Sequence, residues 1–395
     1  LNYGKVNDFL KINSTMKRRL FFKWAGASTL PFVIPAEGWN GKPLEGSATS
    51  LQAEGNVYPE SLYELEEFAK KGMGEDALLY LNGGADDLFT IKANMEAFRK
   101  IQIRPRRLVD VRNISTQLQL FDQVLDSPLL LSPVANQRYF HSQGEIATAK
   151  AAKVANHTMI ASSLSNFSIN QIKEESGANI WFQLYPSPVR DVTKKLLEKA
   201  EKAGCKVLVL TVDSPIVGKR EKFSLINFGI LRKANYEGIL PKGVGILDAG
   251  MTWDIVAWLK KNTKMKIVLK GIVTHEDAYL ACENGADGII ISNHGGRQLE
   301  SNRATIDCLP EIIDAVRDKI PVLIDGGIRR GTDIFKALAL GAKAVCIGRP
   351  FCWGLGAYGQ EGVKMALEIL KKELIRDMRL AGTTTLSKIS RNHVI

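Results

Sequence analysis

The chain has 395 residues, 45% hydrophobic and 24% charged, with a formal net charge of +11, an ordinary globular composition for one large α/β domain with extensions or for two domains. Lys5, Lys11, Lys17, Arg18, Arg19 and Lys23 crowd into the first 35 positions against Asp8 alone. The basic excess over the rest is too mild for a nucleic-acid binder and suits a protein that handles small anions.

In chain order, the first feature is Lys17-Arg18-Arg19-Leu20-Phe21-Phe22-Lys23 ahead of a modestly apolar stretch, 24–35. Adjacent arginines in this setting predict a twin-arginine export signal with Met16 as its natural start, and hence a periplasmic or exported protein. A basic tail that happens to contain this run would leave the protein cytoplasmic, and no clean cleavage site follows. No stretch approaches the ~18 unbroken apolar residues of a membrane span, so no transmembrane segment is expected. Residues 36–57, rich in Gly, Ser and Ala, read as a linker, which places the domain at 58–395, and 58–110 as helices.

From about residue 127 apolar runs alternate with amphipathic helical patterns. Strands are predicted at 128–133, 158–162, 180–185, 207–212, 266–270, 288–292, 321–325 and 344–347, with helices at 189–203, 274–284, 306–317, 332–340 and 363–376 among those between and after them. Eight strands each followed by a helix is the count of an α/β (β/α)8 TIM barrel, with the 58–110 helices packed outside it; a doubly wound open sheet is the alternative. Residues 214–250 interrupt the alternation and read as a mobile loop over the barrel mouth.

In such a barrel the carboxyl ends of the strands line one mouth. Those ends supply Ser132-Pro133-Val134-Ala135, Ser162, Gln183 and Tyr185, Thr211 and Asp213, Lys270, Ser292 with His294 and Arg297, then Asp325-Gly326-Gly327-Ile328-Arg329 and Gly348-Arg349. Singly each has a bland explanation: Lys270 a solvated surface charge, Asp213 a helix cap, Tyr185 the edge of a core. Together they offer acceptors, donors, a base and several cations. His294 can take a proton near neutral pH, and Arg297 can clamp a carboxylate through two parallel hydrogen bonds. The glycine-rich turns at 325–331 and 348–350 present backbone N–H groups and helix amino termini where barrels of this kind hold phosphate. Cys205, Cys282, Cys308, Cys346 and Cys352 include no C-x-x-C pair and read as buried free thiols, and the five histidines show no metal-ligand spacing.

The segments WFQLY, LTVDSPIVGKRE, KGIVTHEDA, SNHGGRQL, DGGIRRGTDIFKALALGA and IGRP, with the closing Ile389-Ser-Arg-Asn-His393, resemble the FMN-dependent 2-hydroxy acid oxidase and dehydrogenase family from about Tyr58 to His393. That family includes glycolate oxidase, lactate oxidase, mandelate dehydrogenase and the flavin domain of flavocytochrome b2. The resemblance implies FMN as cofactor and oxidation of an (S)-2-hydroxy acid, lactate or a longer aliphatic acid, to the 2-oxo acid. Electrons would pass to O2 or to a quinone or other carrier, and the protein would be a homo-oligomer, often a tetramer among relatives. It makes His294 the active-site base, Asp213 the carboxylate that supports it, and Tyr185 the group near the substrate hydroxyl. Tyr80, Arg220 and Arg297 would hold the substrate carboxylate, and Lys270 would lie beside the flavin's N1 edge. Ser162, Gln183 and Thr211 match ring contacts, with Ser292 grouped among the flavin-binding residues. Pro133, Val134 and Ala135 match the backbone near N5, and Asp325, Gly326, Gly327, Arg329, Gly348 and Arg349 match the ribityl and phosphate site.

The chemistry agrees with these roles. Removing two electrons and two protons from a hydroxy acid needs a flavin, because side chains cannot hold a hydride, and a base whose proton affinity a neighbouring carboxylate raises. Three departures stand out. Leu164 replaces a tryptophan of glycolate oxidase-like members and should enlarge the pocket; Val134 replaces a threonine; Asn136 replaces an apolar residue. No cytochrome-like segment precedes the barrel, so no fused haem domain is expected. A flavin-dependent isomerase would not need His294, Arg297, Asp213 and Arg220 together, and a non-catalytic flavin-binding protein would have lost one or more of them.

Overall fold

The computed structural model describes residues 58–221, 226 and 232–395. The arginine pair at 18–19 and the linker to 57 lie outside the described residues, as do 222–225 and 227–231 of the long loop. Three helices come first: α1 (Leu62–Gly72), α2 (Glu75–Asn82) and α3 (Phe89–Lys100). A small antiparallel hairpin follows, β1 (Leu118–Leu120) and β2 (Gln123–Leu125). The alternating series is then β3 (Leu129–Leu131), α4 (Gly144–Val154), β4 (Thr158–Ser162), α5 (Ile169–Ser176), β5 (Ile180–Leu184), α6 (Arg190–Lys202), β6 (Val207–Thr211) and α7 (Asp254–Asn262). It continues as β7 (Lys266–Ile272), α8 (His275–Glu283), β8 (Gly288–Ile291), α9 (Thr305–Val316), β9 (Val322–Asp325), α10 (Gly331–Ala339), β10 (Ala344–Ile347) and α11 (Arg349–Ala381).

Strands β3 to β10 pair in parallel, each with its sequence neighbours, and β10 returns to β3, so the sheet closes into an eight-stranded barrel. This is the (β/α)8 architecture predicted above, with the strand boundaries shifted by at most two residues at either end. The strands are short, mostly apolar and almost wholly buried, with Lys266 at the start of β7 exposed, as expected for parallel strands covered on both faces. Alternate residues form two separate apolar clusters. Leu130, Ile160, Trp181, Val209, Val268, Ile290 and Leu323 fill the barrel interior, while their neighbours along each strand pack against the helices.

The hairpin was not foreseen. Leu120, Leu125 and Phe121 join the interior cluster, and the Phe121 ring lies 5.5 Å from that of Trp181, plugging the barrel at its amino-terminal end. Three-residue strands carry too little periodicity to be read from sequence. The second difference is α11, expected over 363–376. It starts immediately after β10 and runs to Ala381 through a break at Tyr358 and Gly359, where the backbone is not helical. Glycines at 354, 356, 359 and 362 weaken the helical pattern there. All five cysteines are free; four are buried and Cys282 is half-buried. Among the described residues no helix is long and apolar enough to cross a membrane.

His157 immediately precedes β4 and is buried. Its Nδ1 lies 2.5 Å from the Ala155 carbonyl oxygen and its Nε2 2.6 Å from Ser127 Oγ, so the neutral ring donates at one nitrogen and accepts at the other. Burial pulls its pKa down to about 4 from an ordinary 6.5. The unfolded chain therefore takes up this proton first as the medium acidifies. Stability from this residue is fully present above about pH 6.5 and is lost as pH falls towards 4, by about 3 kcal/mol in all. In urea titrations between pH 7 and 4, His157→Gln should show a shallower loss of stability than the parent; parallel curves would remove His157 as a source of the acid sensitivity.

Candidate active site

The carboxyl ends of the barrel strands open into a cavity of about 910 Å³. It is lined by Tyr80, Ser132, Pro133, Val134, Ala135, Ser162, Tyr185, Thr211, Arg220, Lys270, His294, Arg297, Asp325, Gly326, Gly327, Arg329, Gly348 and Arg349, all singled out from the sequence. Asp213, Gln183 and Ser292, also singled out, are not among the lining residues and stand one layer behind.

His294 follows β8 in a left-handed conformation, φ 59°, and Gly295 and Gly296 continue the same turn at 64° and 70°. A non-glycine residue held there stores strain, which the surrounding contacts must offset. Its backbone N–H donates to Ser292 Oγ at 3.0 Å. Its Nδ1 lies 2.8 Å from Asp213 Oδ1 and 3.2 Å from Ser214 Oγ. With the Nδ1 proton directed at Asp213, the Nε2 lone pair is turned towards the Tyr185 hydroxyl, 3.3 Å away. Burial pushes the Asp213 carboxyl up, but His294 and Lys270 together outweigh it, and the group stays ionised below the usual carboxylate range. Burial, reinforced by Asp213, raises Tyr185, so its hydroxyl keeps its proton.

On the floor, Lys270 Nζ lies 2.7 Å from Ser292 Oγ and 3.3 Å from Asp325 Oδ2. Burial alone would lower this lysine, but Asp325 and Asp213 more than offset that and it remains charged. Behind the wall, Ser162 Oγ donates to Gln183 Oε1 at 3.0 Å and Gln183 Nε2 donates to Thr211 Oγ1 at 2.9 Å, tying β4, β5 and β6 together.

Arg329 and Arg349 sit beside the glycine turns after β9 and β10. Burial, then Arg297 and Arg329, lower the Arg349 guanidinium to about 9. Arg349 donates to the carbonyls of Leu81, Gly83 and Gly295 at 3.1, 3.1 and 2.9 Å. Arg297 Nη1 donates to the carbonyls of Tyr80 and Gly83, each at 2.8 Å, and the guanidinium lies 5.1 Å from the centre of the Tyr80 ring. The C-terminal carbonyls of α2 thus hold both arginines, and Arg297 contributes to that anchorage as well as to the cavity wall.

Several contributors were not assigned from sequence. Ser214 reaches His294, Gln298 joins two of the mouth loops, and Asn136 Nδ2 donates to the Tyr80 hydroxyl at 3.3 Å. Leu240, Val244, Ile246 and Leu247 bring the far half of the long loop over the cavity. That half is anchored rather than loose. Asn235 accepts from Ile169 N–H at 2.8 Å, and the Tyr236 hydroxyl donates to the Tyr185 carbonyl at 3.1 Å. Apolar residues within a loop placed over a mouth were the available signal for these contacts.

The cavity fits FMN on its own chemistry. Its cations call for an anion, and the glycine turns beside Arg329 and Arg349 can receive one. Asp325 Oδ1 and Ser132 Oγ are buried with no hydrogen-bond partner among the described residues, as expected of groups that bind ligand hydroxyls. The model of the FMN-dependent dehydrogenase family matches residues 69–395. A peroxisomal (S)-2-hydroxyacid oxidase of Arabidopsis thaliana is 43% identical over 344 residues, spanning 84% of this chain and 95% of that protein. An L-lactate oxidase of a Nostoc species is 43% identical over 352 residues, spanning 84% and 96%. Among solved structures, a soluble mutant of the membrane-associated (S)-mandelate dehydrogenase from Pseudomonas putida superposes with a TM-score of 0.82 at 34% identity, covering 86% of this chain and 99% of that one. The chain belongs to the FMN-dependent dehydrogenase family: it is a flavoprotein oxidoreductase and its cofactor is FMN.

Gly327 has φ 83°, and a Cβ there would lie 2.1 Å from the Asn94 carbonyl oxygen. Gly327→Ala should destabilise the protein by about 2–4 kcal/mol and release FMN on gel filtration. Urea unfolding and the ratio of flavin to protein absorbance check this; full flavin retention at parental stability would show that the turn can relax.

Proposed function

We propose that this protein oxidises an (S)-2-hydroxy acid, lactate or a longer aliphatic acid, to the corresponding 2-oxo acid. The observation that carries the reading is the Asp213–His294 pair, whose Nε2 faces Tyr185 in the same cavity as the cation-rich glycine turns. The relatives' names support the substrate class: (S)-2-hydroxyacid, L-lactate and (S)-mandelate each pair a carboxylate with an α-hydroxyl.

Bound FMN supplies the two-electron acceptor that no side chain can provide. Arg329 and Arg349 with the 326–327 and 348 turns would take its phosphate, Asp325 and Ser132 its hydroxyls, and Lys270 with Ser162 and Thr211 its ring, with Gln183 bracing Ser162 and Thr211 from behind. Arg220, Arg297 and the Tyr80 hydroxyl hold the substrate carboxylate, which fixes the Cα substituents relative to His294. Tyr185, kept protonated by burial, hydrogen-bonds the substrate hydroxyl. His294 Nε2 accepts the proton that leaves substrate, and Asp213 stabilises the resulting imidazolium through Nδ1. Electrons leave to O2 or to a quinone-type carrier. A side chain longer than that of glycolate is accommodated because Leu164, Ile216, Val217, Leu240, Val244, Ile246 and Leu247 give the cavity an apolar outer part.

The test is anaerobic. Purified yellow protein mixed with 2-hydroxy acids from glycolate to 2-hydroxyoctanoate should lose its flavin absorbance with one or more of them, and colour that persists across the series would reject the reading. Reoxidation by O2 or by a soluble quinone then identifies the acceptor. His294→Ala should keep bound FMN and slow this bleaching by about 10²–10⁴-fold. Leu164→Trp should shift preference towards glycolate, read as the ratio of kcat/KM for glycolate and a longer acid; an unchanged ratio would show that position 164 does not limit chain length.

A further inference from the structure

Asp213 and Arg220 lie on the loop after β6, whereas His294 and Arg297 lie on the turn after β8, and β7 separates the two strands in the barrel. The junction between these segments is built around Gln298. Its Nε2 donates to the carbonyls of Asp213 and Ile216 at 3.2 and 2.9 Å. Its Oε1 accepts from Gly218 N–H at 2.9 Å and from Arg220 Nη2 at 3.1 Å. Two donors and two acceptor lone pairs are the full capacity of a side-chain amide, and the reversed amide would set acceptor against acceptors at the Asp213 and Ile216 carbonyls and donors against donors at Gly218 and Arg220. The backbones are in close contact as well. Arg220 Nε donates to the Arg297 carbonyl at 3.0 Å, and a Cβ on Gly218 would lie 2.6 Å from that same oxygen. Position 218 admits only glycine if the two segments are to meet.

Arg220 needs such support. It shares the cavity wall with Arg297, and burial followed by this like charge lowers its guanidinium to about 10. We propose that Gln298 is a positioning residue that holds Arg220 on the cavity wall and thereby sets the strength with which substrate carboxylate is gripped. Gln298 borders the cavity, but all four of its hydrogen-bonding positions are committed to protein, so it acts through Arg220 and the loop. The inference rests on the reading of Arg220 as a carboxylate ligand.

The experiment uses holoenzyme carrying Gln298→Met, similar in length without polar atoms, together with Arg220→Ala and the double variant. The readouts are KM and kcat for L-lactate and the dissociation constant of oxalate, titrated by the change in flavin absorbance. Gln298→Met should raise KM and the oxalate constant about tenfold while kcat stays within about threefold. Added to Arg220→Ala, it should change the oxalate constant by less than about twofold further, because both act through one guanidinium. If Gln298→Met does not accumulate as holoenzyme, Gln298→Ala, which leaves room for water at the orphaned carbonyls, takes its place with the same expectation. Oxalate affinity within twofold of the parent in the Gln298 variant, with Arg220→Ala weakened, overturns the inference alone. Unchanged affinity in Arg220→Ala overturns the reading of Arg220 on which it rests.

Discussion

Four arginines and two lysines line one cavity, balanced by two carboxylates, Asp325 among the lining residues and Asp213 one layer behind. Guanidinium groups removed from water must be solvated by something else. Arg297 and Arg349 find that solvation in the carbonyls at the end of α2 and in the turn after His294. The same bonds fasten the helical extension to the barrel and carry Tyr80 to the cavity edge. The remaining excess of positive charge is what the phosphate of FMN can neutralise, so the cofactor can complete the electrostatics of the fold as well as its chemistry.

Within that field the basic and acidic groups divide by neighbourhood. Asp325 pairs with Lys270 on the floor, and Asp213 pairs with His294 at the mouth. In each pair the buried carboxylate has a hydrogen-bonding partner, the Lys270 ammonium in one and the His294 Nδ1–H in the other, which is the condition for burying it. The left-handed turn through His294, Gly295 and Gly296 aims the imidazole at Asp213 on one side and Tyr185 on the other. Relaxing that turn would gain backbone energy and lose both contacts, so the local strain is bound up with the aim of the imidazole.

The barrel strands were legible because each is a short, largely apolar run in alternation with helical patterns, and closure follows from eight such repeats. The plug at 118–125 was not, since its strands are three residues long and its worth lies in Phe121 meeting Trp181. The full extent of α11 was not, because its glycines lower local helical preference while tertiary packing overrides it. For the same reason the long loop read as mobile, although Asn235 and Tyr236 anchor its second half to residues more than 50 positions away.

The sequence by itself determined the identities of the groups at the strand ends and, through their motifs, the FMN-dependent family. Residue type and strand position are local properties, and a barrel translates position along a strand directly into a place at the mouth. Only the tertiary structure decided which of those groups touch one another. Asp213 stands behind His294, Gln298 clasps Arg220, and the end of α2 solvates two arginines, because barrel closure and loop packing set these contacts between segments far apart in the chain.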